Sequence, residues 1–183
     1  METKSRRNVG KREVTQRDWM PLLRLYRACL RNAEALLAEA RLLLTNGHHE
    51  RAFAIAFTAY EEIGKSQVVA DFFNDIVSKA EFTSAFRAHD LKVAYVRRKY
   101  IWDRDKATRV TVAYDPASAR DEFRTRMAAL YVSSRTDYEP IEPSQSVTRT
   151  DAEKMVEDVA TWLKEIDVFE CITERVGSKA FTK

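Results

Sequence analysis

Between Ala52 and Phe73 the chain is apolar on nearly every side of the helix that its spacing predicts. Ala52, Ile55, Ala59, Ile63, Val69, Phe73 and Ile76 form one face, and Phe53, Ala56, Phe57 and Tyr60 cover much of the rest. A helix apolar all round must be central in its domain or covered by a partner chain. Yet this one carries Glu61-Glu62-Ile63-Gly64-Lys65 in its middle. Charges in such a setting are costly unless they are paired or used. Glu61 and Glu62 lie four and three residues before Lys65, spacings that bring side chains together on a helix.

The surrounding pattern is helical. Leu22, Tyr26, Leu30, Ala33, Leu37, Ala40 and Leu44 predict a first helix over about 15–45. Asn46-Gly47 should stop it, since both residues tolerate a left-handed backbone. The second helix, over about 48–78, follows at once and must run antiparallel to the first. A third is expected over 81–102, with Phe82, Phe86, His89, Val93, Val96 and Tyr100 inward. A fourth is expected over 117–131, with Phe123, Met127 and Leu130 inward. Thr148 with Asp151, or Thr150 with Glu153, fits a capping box for a last helix ending near Gly177. Residues 133–146, with Pro140 and Pro143, read as a surface loop. Val110–Tyr114 is a short extended candidate with no evident partner, so no sheet is expected. Only four Gly and four Pro among 183 residues also favour long helices over tight β-turns. The expected fold class is an all-α bundle of about five helices in one domain over 15–178.

Residues 1–14 form a basic arm holding Lys4, Arg6, Arg7, Lys11 and Arg12. It reads as a flexible tail or as a contact for nucleic-acid phosphates. The net charge of +3 permits an acidic partner without demanding one. The N-terminal stretch has no signal-peptide core, and no run approaches the roughly 18 apolar residues of a membrane span. A cytoplasmic location without membrane contact is therefore expected. Cys29 and Cys171 have neither disulfide-framework nor zinc-site spacing, and His48-His49 beside a turn is a weak metal signal. No metal or cofactor is expected, and no P-loop, dinucleotide glycine motif or GxSxG elbow occurs.

Three groups could carry chemistry. Glu61, Glu62 and Lys65 read either as a surface ion pair or as an inward polar cluster, since Glu62 shares a row with Ile55, Ala59, Ser66 and Val69. His89 and Lys92, three apart, read either as a satisfied core histidine with its neighbour or as a general base beside a phosphate-holding ammonium. If the second and third helices pack antiparallel, Glu62 or Lys65 could reach His89 or Lys92. Arg97, Arg98 and Lys99, with Arg124 and Arg126, read either as solvated basic faces or as an RNA-binding patch.

In their order, these pieces resemble the AbiV abortive-infection family of the HEPN superfamily. The likeness rests on Asn32–Ala40, the alanine-rich helix ending in Glu61-Glu62-Ile63-Gly64-Lys65, then His89-Asp90-Leu91-Lys92. Arg126–Val132, a proline-containing loop and the acidic helix start Thr148–Glu153 follow, so it covers about 30–165. The resemblance implies a HEPN-like helical bundle working as a homodimer in bacterial defence against phage, arresting growth or translation. It implies RNA or the translation machinery as target, a phage protein as trigger, and metal-independent RNA cleavage as the candidate reaction. His89 would then move the proton, Lys92 and Arg126 would hold the phosphate, and Glu62 and Lys65 would orient them. The usual HEPN pair is an arginine and a histidine with four to six residues between them, a spacing that Arg41 and His48 formally meet. Here Arg87 stands two residues before His89, while Arg41 and His48 straddle the first turn. A non-catalytic helical dimerisation module that binds a protein, RNA or the ribosome is the alternative.

Overall fold

The structure is a computed structural model that describes residues 16–73, 76–97, 99–103, 108–112, 116–172, 175–176 and 181–182, with side chains over 20–73, 76–96 and 120–167. The basic arm over 1–14, Arg98 and Gly177 lie outside the described residues, as do the side chains of Arg97, Lys99 and Cys171.

Helix α1, Gln16–Thr45, and helix α2, His49–Phe73, form the long antiparallel hairpin that the spacing predicts. The turn between them is a Schellman motif. Gly47 adopts φ 81°, its N–H bonds to Leu44 O at 3.1 Å, and His48 N–H bonds to Leu43 O at 2.9 Å. The orphan carbonyls at the end of α1 are thereby satisfied, and Asn46 Nδ2 adds a bond to Leu42 O at 2.8 Å.

The expected third helix is two helices. Helix α3, Lys79–Arg87, starts on a capping box between Ser78 and Glu81 and ends at Ala88, whose backbone is extended at φ −87°, ψ 125°. Helix α4, His89–Arg97, starts at the next residue. The apolar repeat passes through this break unchanged because both helices present their apolar residues to α2. Phe82 and Phe86 pack on Val68, Val69 and Ala70, while Val93 and Val96 join the central core. Ile76, expected inward, lies past the end of α2 and is exposed.

The expectation of no sheet is also corrected. Strand β1, Lys99–Asp103, pairs antiparallel with strand β2, Thr108–Val112, in the register Tyr100↔Thr111, Ile101↔Val110, Trp102↔Arg109. Aromatic and β-branched residues dominate both runs, which suits a pleated pair better than a continued helix.

Helix α5, Pro116–Leu130, has proline at its first position, where the missing N–H costs nothing. Phe123 is half-buried and Ala129 buried, but Met127 and Leu130 stand on the exposed rim. A loop follows, holding the two-residue strands β3, Ser133–Ser134, and β4, Pro140–Ile141, and a 3-10 turn at Pro143–Gln145.

Helix α6, Arg149–Ile172, is capped by Thr148 rather than Thr150. Asp151 N–H donates to Thr148 Oγ1 at 3.2 Å, and Thr148 N–H donates to Asp151 Oδ2 at 2.9 Å. Glu153 instead pairs with Arg149 Nε at 2.7 Å, so it is not a capping partner of Thr150. The helix stops at Ile172, short of the expected Gly177, and Arg175–Val176 (β5) pairs with Phe181–Thr182 (β6).

Helix α2 is the hub, packing against α1, α3, α4, α5 and α6. Ala52, Phe57, Ile63 and Val69 are fully buried there, as the apolar wrap requires. The described residues thus form an all-α bundle of six helices with small β-pairs at its edge.

Candidate functional site

Adjacent residues on a helix point about 100° apart, so Glu61 and Glu62 serve different neighbours. Glu61, buried at 4 % exposure, faces α4 and accepts a hydrogen bond from His89 Nδ1 at 2.6 Å. Glu62 pairs with Lys65 on α2 and lies beside the Cys29 thiol of α1. Burial, reinforced by the Glu62 charge, pushes that thiol up to about 11.

Lys92 is buried in α4 at 5 % exposure. Desolvation depresses its ammonium below the ordinary 10.5. The carboxylates of Glu61 and Glu62 oppose that shift, whereas Lys65 and Arg126 add to it. Backbone contact fixes the crossing of α2 and α4 at this point. A Cβ placed on Gly64 would fall 2.1 Å from Lys92 O and 2.8 Å from Lys92 C, so only glycine fits.

Helix α5 closes the site. Arg126 Nη2 donates to Thr58 Oγ1 of α2 at 3.3 Å, and its guanidinium carbon lies 5.9 Å from the Phe123 ring centre. Arg126 Nε is buried without a hydrogen-bond partner. The His89 ring stacks on Phe123 with centres 4.8 Å apart and planes 21° from parallel. Asp90 and Arg120 add a loose pair at 3.9 Å across the same junction.

Glu61, Glu62, Lys65, His89, Lys92 and Arg126 therefore gather where α2, α4 and α5 meet. Two details differ from the sequence reading. His89 is not an inward residue of a continuous helix but the first residue of α4, with 44 % of its side chain exposed. The carboxylate that reaches it is Glu61, because Glu62 turns toward α1. Arg124 is 80 % exposed and pairs with Asp121 at 3.4 Å, outside the cluster. Arg97 ends α4, but its side chain, like the whole of Arg98, is outside the described residues.

Sequence reasoning gave no role to Gly64 or Thr58 and read Phe123 only as an inward core residue. A glycine inside an apolar helix marks close backbone approach and was the available signal for the first. The three-residue step from Phe123 to Arg126 was a weaker signal for the last.

Chemically, the site offers a half-open imidazole backed by a buried carboxylate, with two cations beside it. Such a set can move a proton and hold an anion. Among the described residues no group of three or more His, Cys, Asp or Glu side chains is placed to hold a metal ion, and no helix is long and apolar enough to cross a membrane.

A family model described as HEPN_AbiV, AbiV, matches residues 21–164, spanning all three helices of the site. No curated protein and no solved structure gives a significant match to the chain.

Proposed function

The chain belongs to the AbiV family, and from that premise we propose that it is an abortive-infection protein that arrests growth or translation in a phage-infected bacterium, with RNA as its target. The observation that carries this reading is the His89–Glu61 pair: an imidazole 44 % open to solvent, held at Nδ1 by a buried carboxylate. A histidine that served only packing would have no need of an open edge.

The proposed reaction needs no metal. A ribose 2′-oxygen attacks the adjacent phosphorus as its proton passes to His89, and the bond from phosphorus to the 5′-oxygen breaks. A proton returns to that 5′-oxygen, leaving a 2′,3′-cyclic phosphate and a 5′-hydroxyl. Lys92 and Arg126 are assigned to the phosphate, whose developing charge two buried or half-buried cations would stabilise. A homodimer activated by a phage component is the proposed working form.

The close crossing at Gly64 and the burial of Lys92 favour a second reading. In it, the cluster fixes the register of α2 and α4 in a module that binds RNA, a protein or the ribosome without cutting. Inducible expression of the wild type and His89→Ala, both confirmed folded, separates the two. Cleavage predicts growth arrest with fragmented RNA for the wild type alone. Arrest with intact RNA would favour the binding module. Equal arrest by the folded variant would remove His89 from the mechanism.

A further inference from the structure

We infer that Phe123 is a positioning residue: it holds the His89 ring and the Arg126 guanidinium on one aromatic platform, and with Glu61 it leaves His89 Nε2 as the proton-accepting atom. This rests on the reading of His89 as the proton-transfer group and specifies the atom through which it works.

A carboxylate oxygen accepts, so the 2.6 Å contact between Glu61 Oε1 and His89 Nδ1 places the proton of a neutral imidazole on Nδ1. The bare nitrogen is then Nε2. Glu61 fixes the ring at one atom only, and a ring tethered at one atom can still tilt about that bond. Phe123 removes the tilt by stacking face to face at 4.8 Å and 21°.

The same phenyl ring lies under Arg126, one helical turn along α5. Thr58 holds Arg126 from the α2 side through Nη2, while the buried Nε keeps an unused hydrogen-bond donor. The spacing between proton acceptor and phosphate-holding cation is therefore set through Phe123. It contributes no polar atom, so a search for chemistry-bearing residue types passes it over.

In the reaction proposed above, Nε2 takes the 2′-hydroxyl proton as the oxygen–phosphorus bond forms. The resulting imidazolium keeps its Nδ1 proton on Glu61 and can return the Nε2 proton to the departing 5′-oxygen. No oxidant, reductant or further reactant is required.

The test uses the full chain and two readouts. The first is long-range proton–nitrogen NMR of the three histidines at about pH 8, where an ordinary imidazole is neutral, with the His89 signals assigned by their loss in His89→Ala. The wild type should show His89 protonated at Nδ1 and bare at Nε2. Phe123→Leu and the volume-keeping Phe123→Met should lose the ring-current shift and broaden the His89 signals as the ring tilts, while Glu61 keeps the proton on Nδ1. The second readout is cleavage of a fluorescent single-stranded RNA oligomer. Both variants should lower its rate roughly 100-fold, the scale of misplacing a catalytic group by about 1 Å. Phe123→Tyr should restore most of the activity.

A wild-type His89 protonated at Nε2 would overturn the inference. So would Phe123→Met with unchanged His89 signals and unchanged cleavage. A His89 ring that Phe123→Met sets loose, in a wild type that cuts no RNA, would support the positioning role while sinking the RNase reading.

Discussion

Gly64→Ala is a sharp test because two physical effects predict opposite signs. On helix propensity alone, alanine in a helix interior is favoured over glycine by about 1 kcal/mol. Against that, the new Cβ would lie 2.1 Å from Lys92 O, about 1.3 Å short of the 3.4 Å at which ordinary contact begins. The obstructing atoms are backbone, so no rotamer change relieves them, and α4 as a whole must retreat. Val93 and Val96, at 0 % and 1 % exposure, ride on that helix and lose packing as it moves. Overpacking of this kind costs about 1–3 kcal/mol, and partial exposure of two valines adds to it. The expected net destabilisation is about 2 kcal/mol. For a domain of this size that lowers the thermal midpoint by roughly 4–8 °C. Thermal melts and urea titration of both proteins measure it. A midpoint equal to or above that of the wild type would refute the close crossing and the geometry built upon it.

Lys92→Met removes a buried ammonium whose charge is already disfavoured by its surroundings. Because it leaves the buried Glu61 carboxylate short of a cation, it should melt below the wild type at neutral pH, as well as lose growth arrest. Since the Lys92 pKa is depressed on folding, wild-type stability should rise relative to Lys92→Met as pH climbs toward the ordinary 10.5, which parallel melts would show. Cys29, with its thiol near 11, should react with iodoacetamide at about pH 8 roughly a hundredfold more slowly than an unhindered cysteine, as peptide mass spectrometry can measure. Thr148→Ala should cost about 1 kcal/mol through the lost α6 cap. The Thr148 hydroxyl and N–H hold the Asp151 carboxyl below its ordinary 3.8. That contribution is fully present above 3.8 and fades as pH falls through the lower folded value, so the difference between the two proteins should shrink in acid denaturation.

The first hairpin was legible because periodicity and the Asn46-Gly47 stop agree with one another. The break at Ala88 was not, since alanine is a good helix former and the apolar repeat continues on both sides. Only the separate docking of α3 and α4 on α2 imposes the extended backbone there. The β1–β2 pair was half-legible: Val110–Tyr114 read as extended, but its partner had been absorbed into an overlong helix. At the site, residue types and spacing pointed to His89, Lys92 and the Glu61–Lys65 stretch. Which of two adjacent carboxylates meets His89 depends on how α2 is rotated against α4, and Gly64 sets that contact. Phe123 read as an inward residue of its helix, but its stacking on His89 depends on α5 lying beside α4.

The Schellman turn between α1 and α2 bears on the order in which this molecule assembles. A hairpin closed by so short a turn brings together contacts that are local along the chain, and such contacts form early. On the ribosome, α1 and α2 emerge before α4 and α5, so their pairing can begin while the chain is still being made. His89 and Arg126 are the last parts of the site to arrive, and both dock on a surface that α2 already presents. Pulse-labelled hydrogen exchange should accordingly show protection in α1 and α2 before α4 and α5. On the reading proposed above, the proton-transfer residue and the phosphate-holding arginine meet only when α5 closes, so the site stays incomplete through most of the synthesis of the chain.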